Sequence, residues 1–250
     1  MKKILALLAL LFLTELAYAS AVVTTAAGST QVATGPAPAR PLRVGDRVNQ
    51  GDTVITGAQS SLVLKFDDGQ VTALTANSRM TVTNFSYTPA SGSGGMLLSL
   101  ITGGMRAITG LIGKNNPNRV TVRAGAATIG IRGTDFTIVV DGAQVFVQVT
   151  GGLISFTFNN QTVTVDTGRA AVTNPNGTVS QGTVNQIASQ LQGTAAGQAI
   201  LNAVGGIQGL TSEINSAFPG TPPGPPPPPP PPNPGNPPGG PPGGGSSSPS

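Results

Sequence analysis

Residues 61–74 read Ser61-Leu62-Val63-Leu64-Lys65-Phe66-Asp67-Asp68-Gly69-Gln70-Val71-Thr72-Ala73-Leu74, and they decide the fold class. Two short runs rich in Val, Leu and Thr flank Asp67-Asp68-Gly69. An Asp-Gly pair tolerates the positive φ that a tight hairpin demands, so this stretch predicts two antiparallel strands and their turn. The pattern repeats outward in both directions. Upstream, residues 44–48 lead into a turn at 49–52, and Thr53-Val54-Ile55-Thr56 ends at Gly57. Downstream, residues 79–83 follow a break at 75–78, and a Gly/Ser loop spans 90–95.

Further along, residues 96–101 and 105–112 are divided by Gly103-Gly104, which predicts two separate strands. Residues 114–118 form a turn, and residues 120–123 alternate. Asp141-Gly142 and Asn159-Asn160 each separate two apolar runs, and Asn174-Pro175-Asn176-Gly177 closes the series. A strand and its turn recur about every 8–12 residues. Val, Thr, Ile and Phe suit a pleated, half-buried surface. The expected fold is all-β: one β-sandwich or β-helical domain of short strands over residues 42–180.

The flanks differ in composition. Residues 20–41 are small and polar, which predicts a leader or an edge segment. Val184, Ile187, Ala188, Leu191 and Ala195 recur at helical spacing, as do Ile200, Leu201, Val204 and Ile207. Residues 183–218 therefore predict two or three short helices, interrupted by glycines that each cost about 1 kcal/mol against alanine. An amphipathic stripe mostly faces a core, so docking on the β block is favoured over a partner or membrane surface. Residues 219–250 are almost entirely Pro, Gly and Ser, with an unbroken proline run at 225–232. Such a segment cannot pack a core, and the expectation is a disordered, polyproline II-rich tail. At the other end, Lys2 and Lys3, an apolar run at 4–13 and Ala17-Tyr18-Ala19 make the three-part pattern of a secretory signal peptide cut after Ala19. The expected location is therefore periplasmic or outside the cell. After the cut, no apolar run is long enough to span a bilayer stably.

Composition narrows the chemistry. The chain holds no Cys, no His and no Trp, which excludes Cys/His zinc sites and nucleophile systems that need His or Cys. No cofactor is expected. The formal net charge of +4 falls by one when Lys2, Lys3 and Glu15 leave with the signal. The remaining Arg residues are scattered, without the basic run of a nucleic-acid reader. Asp46 with Asp52, and Asp67 with Asp68, could in principle serve glycoside hydrolysis. Each sits beside glycine in a turn, where Asp bonds its own backbone. Gly113-Lys114-Asn115 lacks the earlier glycine and the Ser/Thr of a phosphate loop.

One cluster stands apart: Ile129-Gly130-Ile131-Arg132-Gly133-Thr134-Asp135-Phe136. Glycines three apart predict a tight backbone path, with Arg132 and Asp135 paired across a β-arch. Thr134 bonds the local backbone, and Phe136 opens the next strand as a core anchor. Arg132, Gly133, Thr134, Asp135 and Phe136 form the candidate structural or recognition motif.

At this cluster the chain resembles the FecR domain family, from about residue 43 to 173. The resemblance includes Val44-Gly45-Asp46, Gln50-Gly51-Asp52-Thr53-Val54-Ile55-Thr56-Gly57 and residues 60–69. Gly103-Gly104-Met105-Arg106 and Thr109-Gly110 continue it, residues 130–136 are its peak, and Thr150-Gly151-Gly152 and Asp166-Thr167-Gly168 close it. The residues themselves argue for a non-catalytic domain; the resemblance implies that in the iron-uptake branch of the family such a domain relays a periplasmic signal from an outer-membrane siderophore transporter. This chain departs from that branch, lacking its cytoplasmic segment and later membrane helix. It is similar instead to stand-alone secreted FecR-domain proteins. The expectation is an exported binding or structural module with a protein or envelope glycan partner. A periplasmic signalling protein is the alternative, and an Asp-dependent glycan hydrolase a distant third.

Overall fold

A computed structural model describes residues 20–217. The expected signal peptide and the whole of the Pro-rich tail lie outside those residues. The described chain is mostly β, with fifteen strands joined in one mixed sheet. The first seven strands are β1 (Ser20–Ala27), β2 (Thr30–Thr34), β3 (Arg40–Pro41), β4 (Arg47–Asn49), β5 (Asp52–Thr56), β6 (Ser61–Phe66) and β7 (Val71–Leu74). Two long strands follow, β8 (Arg79–Thr88) and β9 (Ser93–Ile108). A short helix α1 (Leu111–Asn115) and one 3-10 turn (Pro117–Arg119) lead to β10 (Val120–Ala124). The hairpin of β11 (Ala127–Asp141) and β12 (Gln144–Phe158) comes next. The last strands are β13 (Gln161–Asp166), β14 (Arg169–Thr173) and β15 (Val179–Thr183).

The hairpin that opened the reading is present: β6 and β7 pair antiparallel from Leu62↔Leu74 to Lys65↔Val71. Gly69 takes φ +84 in its turn. Elsewhere the strands are longer than expected. Residues 96–101 and 105–108 belong to the single strand β9, which runs through Gly103 at φ +87. Leu111 and Ile112 leave it for α1. The glycines permit a change of direction without breaking the ladder. The halves of β9 then serve different neighbours. Its first half pairs with β8 and, in parallel, with β10; its second half pairs with β7 and β11.

That split curls the sheet around a common core. Phe66 of β6 meets Phe85 of β8 edge to face at 5.1 Å, although these strands are not neighbours in the sheet. Leu64, Leu98, Ile129, Phe136 and Phe156 join the same cluster. Each fully buried Leu, Ile or Phe contributes about 1.5–3 kcal/mol over its exposed state. Residues 20–34 belong to this architecture, contrary to the expected leader. Ala21 and Val23 are buried, and β1 pairs with both β4 and β6.

The C-terminal helices are α2 (Val184–Leu191), α3 (Ala195–Gly209) and α4 (Thr211–Ala217). Thr183 and Gln186 form a capping box that starts α2. The helices dock on the sheet. Ile187, Leu191 and Ile200 cover Val139, Phe146 and Val172. Ile214 and Ala217 cover Val63, Val71 and Ile108.

Candidate interaction surface

The cluster at 129–136 is not an arch between two strands. It lies inside β11, where the register with β12 shifts between Arg132 and Asp135 and again before Phe136. Gly133 carries the bulge at φ +58, a conformation that costs a residue with a Cβ about 1–2 kcal/mol. The facing strand answers with Gly152, at φ +83. A Cβ there would stand 2.4 Å from the Gly133 carbonyl oxygen, so only glycine fits. Thr109, at the end of β9, locks the bulge from the other side. Its Oγ1 donates to the Thr134 carbonyl at 2.7 Å and accepts the Thr134 N–H at 2.9 Å.

The expected Arg132–Asp135 pair does not form. Asp135 instead accepts two bonds from Arg106 of β9, Nε to Oδ1 at 2.8 Å and Nη2 to Oδ2 at 2.6 Å. The side chains are only 14% and 7% exposed. The register explains this choice, because Thr137 lies opposite Arg106 and Asp135 opposite Ile108, two residues along the same face. The Asp135 hydrogen bonds raise the Arg106 pKa above its ordinary value, outweighing burial. Sequence spacing favoured Arg132 because it is near; the true partner is 29 residues away. Phe136 is fully buried, as a core anchor within the same strand.

Arg132 points the other way, onto the outer face, and makes no ion pair among the described residues. Its surroundings follow from the pairing. One row across the sheet places Thr53, Thr81, Ser99 and Arg123 side by side. The row continues through Thr128, Thr157 and Thr162. A parallel row holds Thr121, Gly130, Ser155 and Thr164, and the next holds Arg132, Leu153 and Asp166. All these positions are exposed or half-buried. Neighbouring strands lie about 4.8 Å apart, so the hydroxyls form a regular grid. Several bond to one another, as do Thr53 with Thr81 at 2.8 Å and Thr157 with Thr162 at 2.9 Å. Beside the grid, Asn118, Thr121, Arg132, Leu153, Ser155 and Thr164 line a groove of about 520 Å³. Each hydroxyl both donates and accepts, so the face offers dense, nearly neutral hydrogen bonding with Arg123 and Arg132 as its cations.

The turn acids have structural partners. Asp46 accepts the Arg43 N–H at 2.9 Å, and Asp52 accepts the Asn49 N–H at 2.8 Å. Asp68 accepts the Gln70 N–H at 3.0 Å and, more weakly, that of Ile112 at 3.4 Å. Burial pushes its pKa above the ordinary carboxylate value despite those bonds, with neighbouring Asp67 adding a smaller push. No group of three or more acids is placed to hold a metal ion among the described residues. No described helix is long and apolar enough to cross a membrane.

Residues 52–155 match the FecR protein family. The chain therefore carries a FecR domain, running from β5 into β12 and containing both the bulge and most of the hydroxyl grid. Two crystal structures of a "putative anti-sigma factor" from Parabacteroides distasonis ATCC 8503 are similar to it. They share 16% and 17% identity, with TM-scores of 0.44 and 0.45. The alignments cover 52% and 56% of this chain, and 59% and 65% of those chains. This chain thus spans less than two thirds of either one. No curated protein matches the sequence.

Proposed function

We propose that this chain is an exported FecR-domain protein that acts by binding, or as a scaffold, in the cell envelope or outside the cell, without catalysis. The observation that carries this reading is the outer face of β5 and β8–β13. A sheet face that presents aligned hydroxyls, two cations and a groove, rather than an apolar stripe, suits a ligand rich in hydroxyl or amide groups. An envelope glycan or an extended protein segment has that chemistry. Arg132 makes the contact, and Gly133, Thr134, Asp135 and Phe136 hold it in place. Cleavage after Ala19 releases the domain, and the Pro-rich tail spaces it from a surface.

Crosslinking from a photoreactive residue at position 132, in fractionated cells, tests this. Capture of one glycan or protein, abolished by Thr121→Lys and Ser155→Lys together, supports the reading. Unchanged capture by that variant removes the outer face from it. The FecR match favours a second reading, periplasmic signalling; association with the signalling domain of an outer-membrane transporter would select it. Glycan turnover lost on Asp46→Asn or Asp67→Asn would overturn the non-catalytic reading altogether.

A further inference from the structure

The start of β1 is clasped by the β6–β7 hairpin. The Ser20 nitrogen donates to Asp67 Oδ2 at 2.7 Å, and the Asp67 N–H returns a bond to the Ser20 carbonyl at 3.0 Å. The Ser20 hydroxyl donates to the same carboxylate oxygen at 3.3 Å, and Arg47 Nη1 donates to that hydroxyl. Ser20 is 1% exposed. It is also the residue that immediately follows Ala17-Tyr18-Ala19. A carboxylate therefore waits on the one nitrogen that cleavage after Ala19 would free.

We propose that Ser20 is a maturation site: hydrolysis of the Ala19–Ser20 peptide bond creates an α-ammonium that forms an ion pair with Asp67 and fastens β1 to the sheet. This rests on the export reading given above. In the hydrolysis, water gives its oxygen to the new Ala19 carboxylate and its protons to the Ser20 nitrogen. An α-amino group titrates ordinarily at about 7.7–8.0, so it is mostly charged at neutral pH. A charge-assisted bond is roughly twice as strong as the neutral peptide N–H bond it replaces. The charged groups around Ser20 are Asp67 in the hairpin turn and Arg47 on β4, both bonded to it, and Lys65 on β6, opposite Val22; the Asp68 carboxylate is turned instead to the Gln70 and Ile112 N–H groups. Two of these are cations beside a new cation, which leaves Asp67 as the group that compensates it.

The test has two arms. Intact mass of the protein recovered from the exported fraction reports where the mature chain begins. Separately, protein beginning at Ser20 is melted with its α-amino group free or acetylated, in wild-type and Asp67→Asn backgrounds. Acetylation is expected to lower Tm by about 3–6 °C in wild type and hardly at all in Asp67→Asn. That difference should vanish above about pH 9, as the ammonium deprotonates. Stability held by a raised amino pKa is present below its unfolded value and lost as pH rises through its folded value. An uncharged hydrogen bond gives no such loss. Equal effects of acetylation in both backgrounds overturn the ion pair, even if the mass places the start at Ser20. A mature chain that starts elsewhere overturns cleavage after Ala19, whatever the melts give.

Discussion

Two buried carboxylates sit beside positive-φ glycines, and the protein handles them differently. Asp68, in the β6–β7 turn, has only main-chain N–H donors and a raised pKa. Asp135, in the β11 bulge, has a bidentate guanidinium. The turn is a local solution, closed by atoms within a few residues and by the start of α1. The bulge is a long-range one, in which β9 supplies both the cation and the Thr109 lock. Local bonds satisfy a carboxylate's lone pairs without neutralising its charge; only a distant strand could do that here. The bulge is therefore the more vulnerable of the two.

Arg106→Ala should have the largest effect. It strands a buried charge, and loss of one partner from a buried pair costs about 3–5 kcal/mol. Denaturant melts check this, and Asp135→Asn in the same background should recover part of the loss. Full stability in Arg106→Ala would mean that the bulge, like the turn, stands on main-chain bonds alone. Gly133→Val comes next, at about 1–3 kcal/mol, because φ +58 is closed to a β-branched residue even though the space beside it is open.

Asp68→Asn should change stability at neutral pH by only about 1 kcal/mol, since it keeps an acceptor for Gln70 while removing a desolvated charge. Its signature is the pH profile. The folded pKa of Asp68 lies above 3.8, so the folded state holds this proton more tightly than the unfolded chain. That contribution is complete below the unfolded value and is lost as pH rises through the folded one. Asp68→Asn should therefore gain on wild type between acid and neutral pH; a parallel pair of profiles would sink the contrast between the two sites. Arg132→Ala should be the mildest, within about 0.5 kcal/mol, because its side chain is exposed. It should melt later than Gly133→Val, and the reverse order would deny the bulge its backbone role.

The hairpin at 67–69 was legible because Asp-Gly chemistry is local. The helix pattern at 184–214 was legible for the same reason, and the Thr183 cap agrees with it. The Arg106–Asp135 pair was not, because only strand register brings residues 29 apart together. Gly103 and Gly133 were misleading: a glycine that ends a strand and one that bends a continuing strand look alike in sequence. Residues 20–34 were hidden by their small side chains. Ala21 fills a core position completely, yet gives almost no hydrophobic signal. The outer grid was visible as Thr-rich composition. Its rows emerge only when alternate residues, such as Ser155 with Thr157 and Thr162 with Thr164, are aligned by pairing.

The docking of α4 against β6 and β7 has a consequence in time. A chain is synthesised from its N-terminus, so those strands arrive long before their cover. Val63, Val71 and Ile108 must wait, with one apolar face bare, for Ile214 and Ala217. Contacts so distant in sequence form slowly, and a waiting apolar strand face invites aggregation. Newly made chains should thus pass through a sticky stage that ends only when the final helix lands, and a chain cut short before residue 211 should remain there.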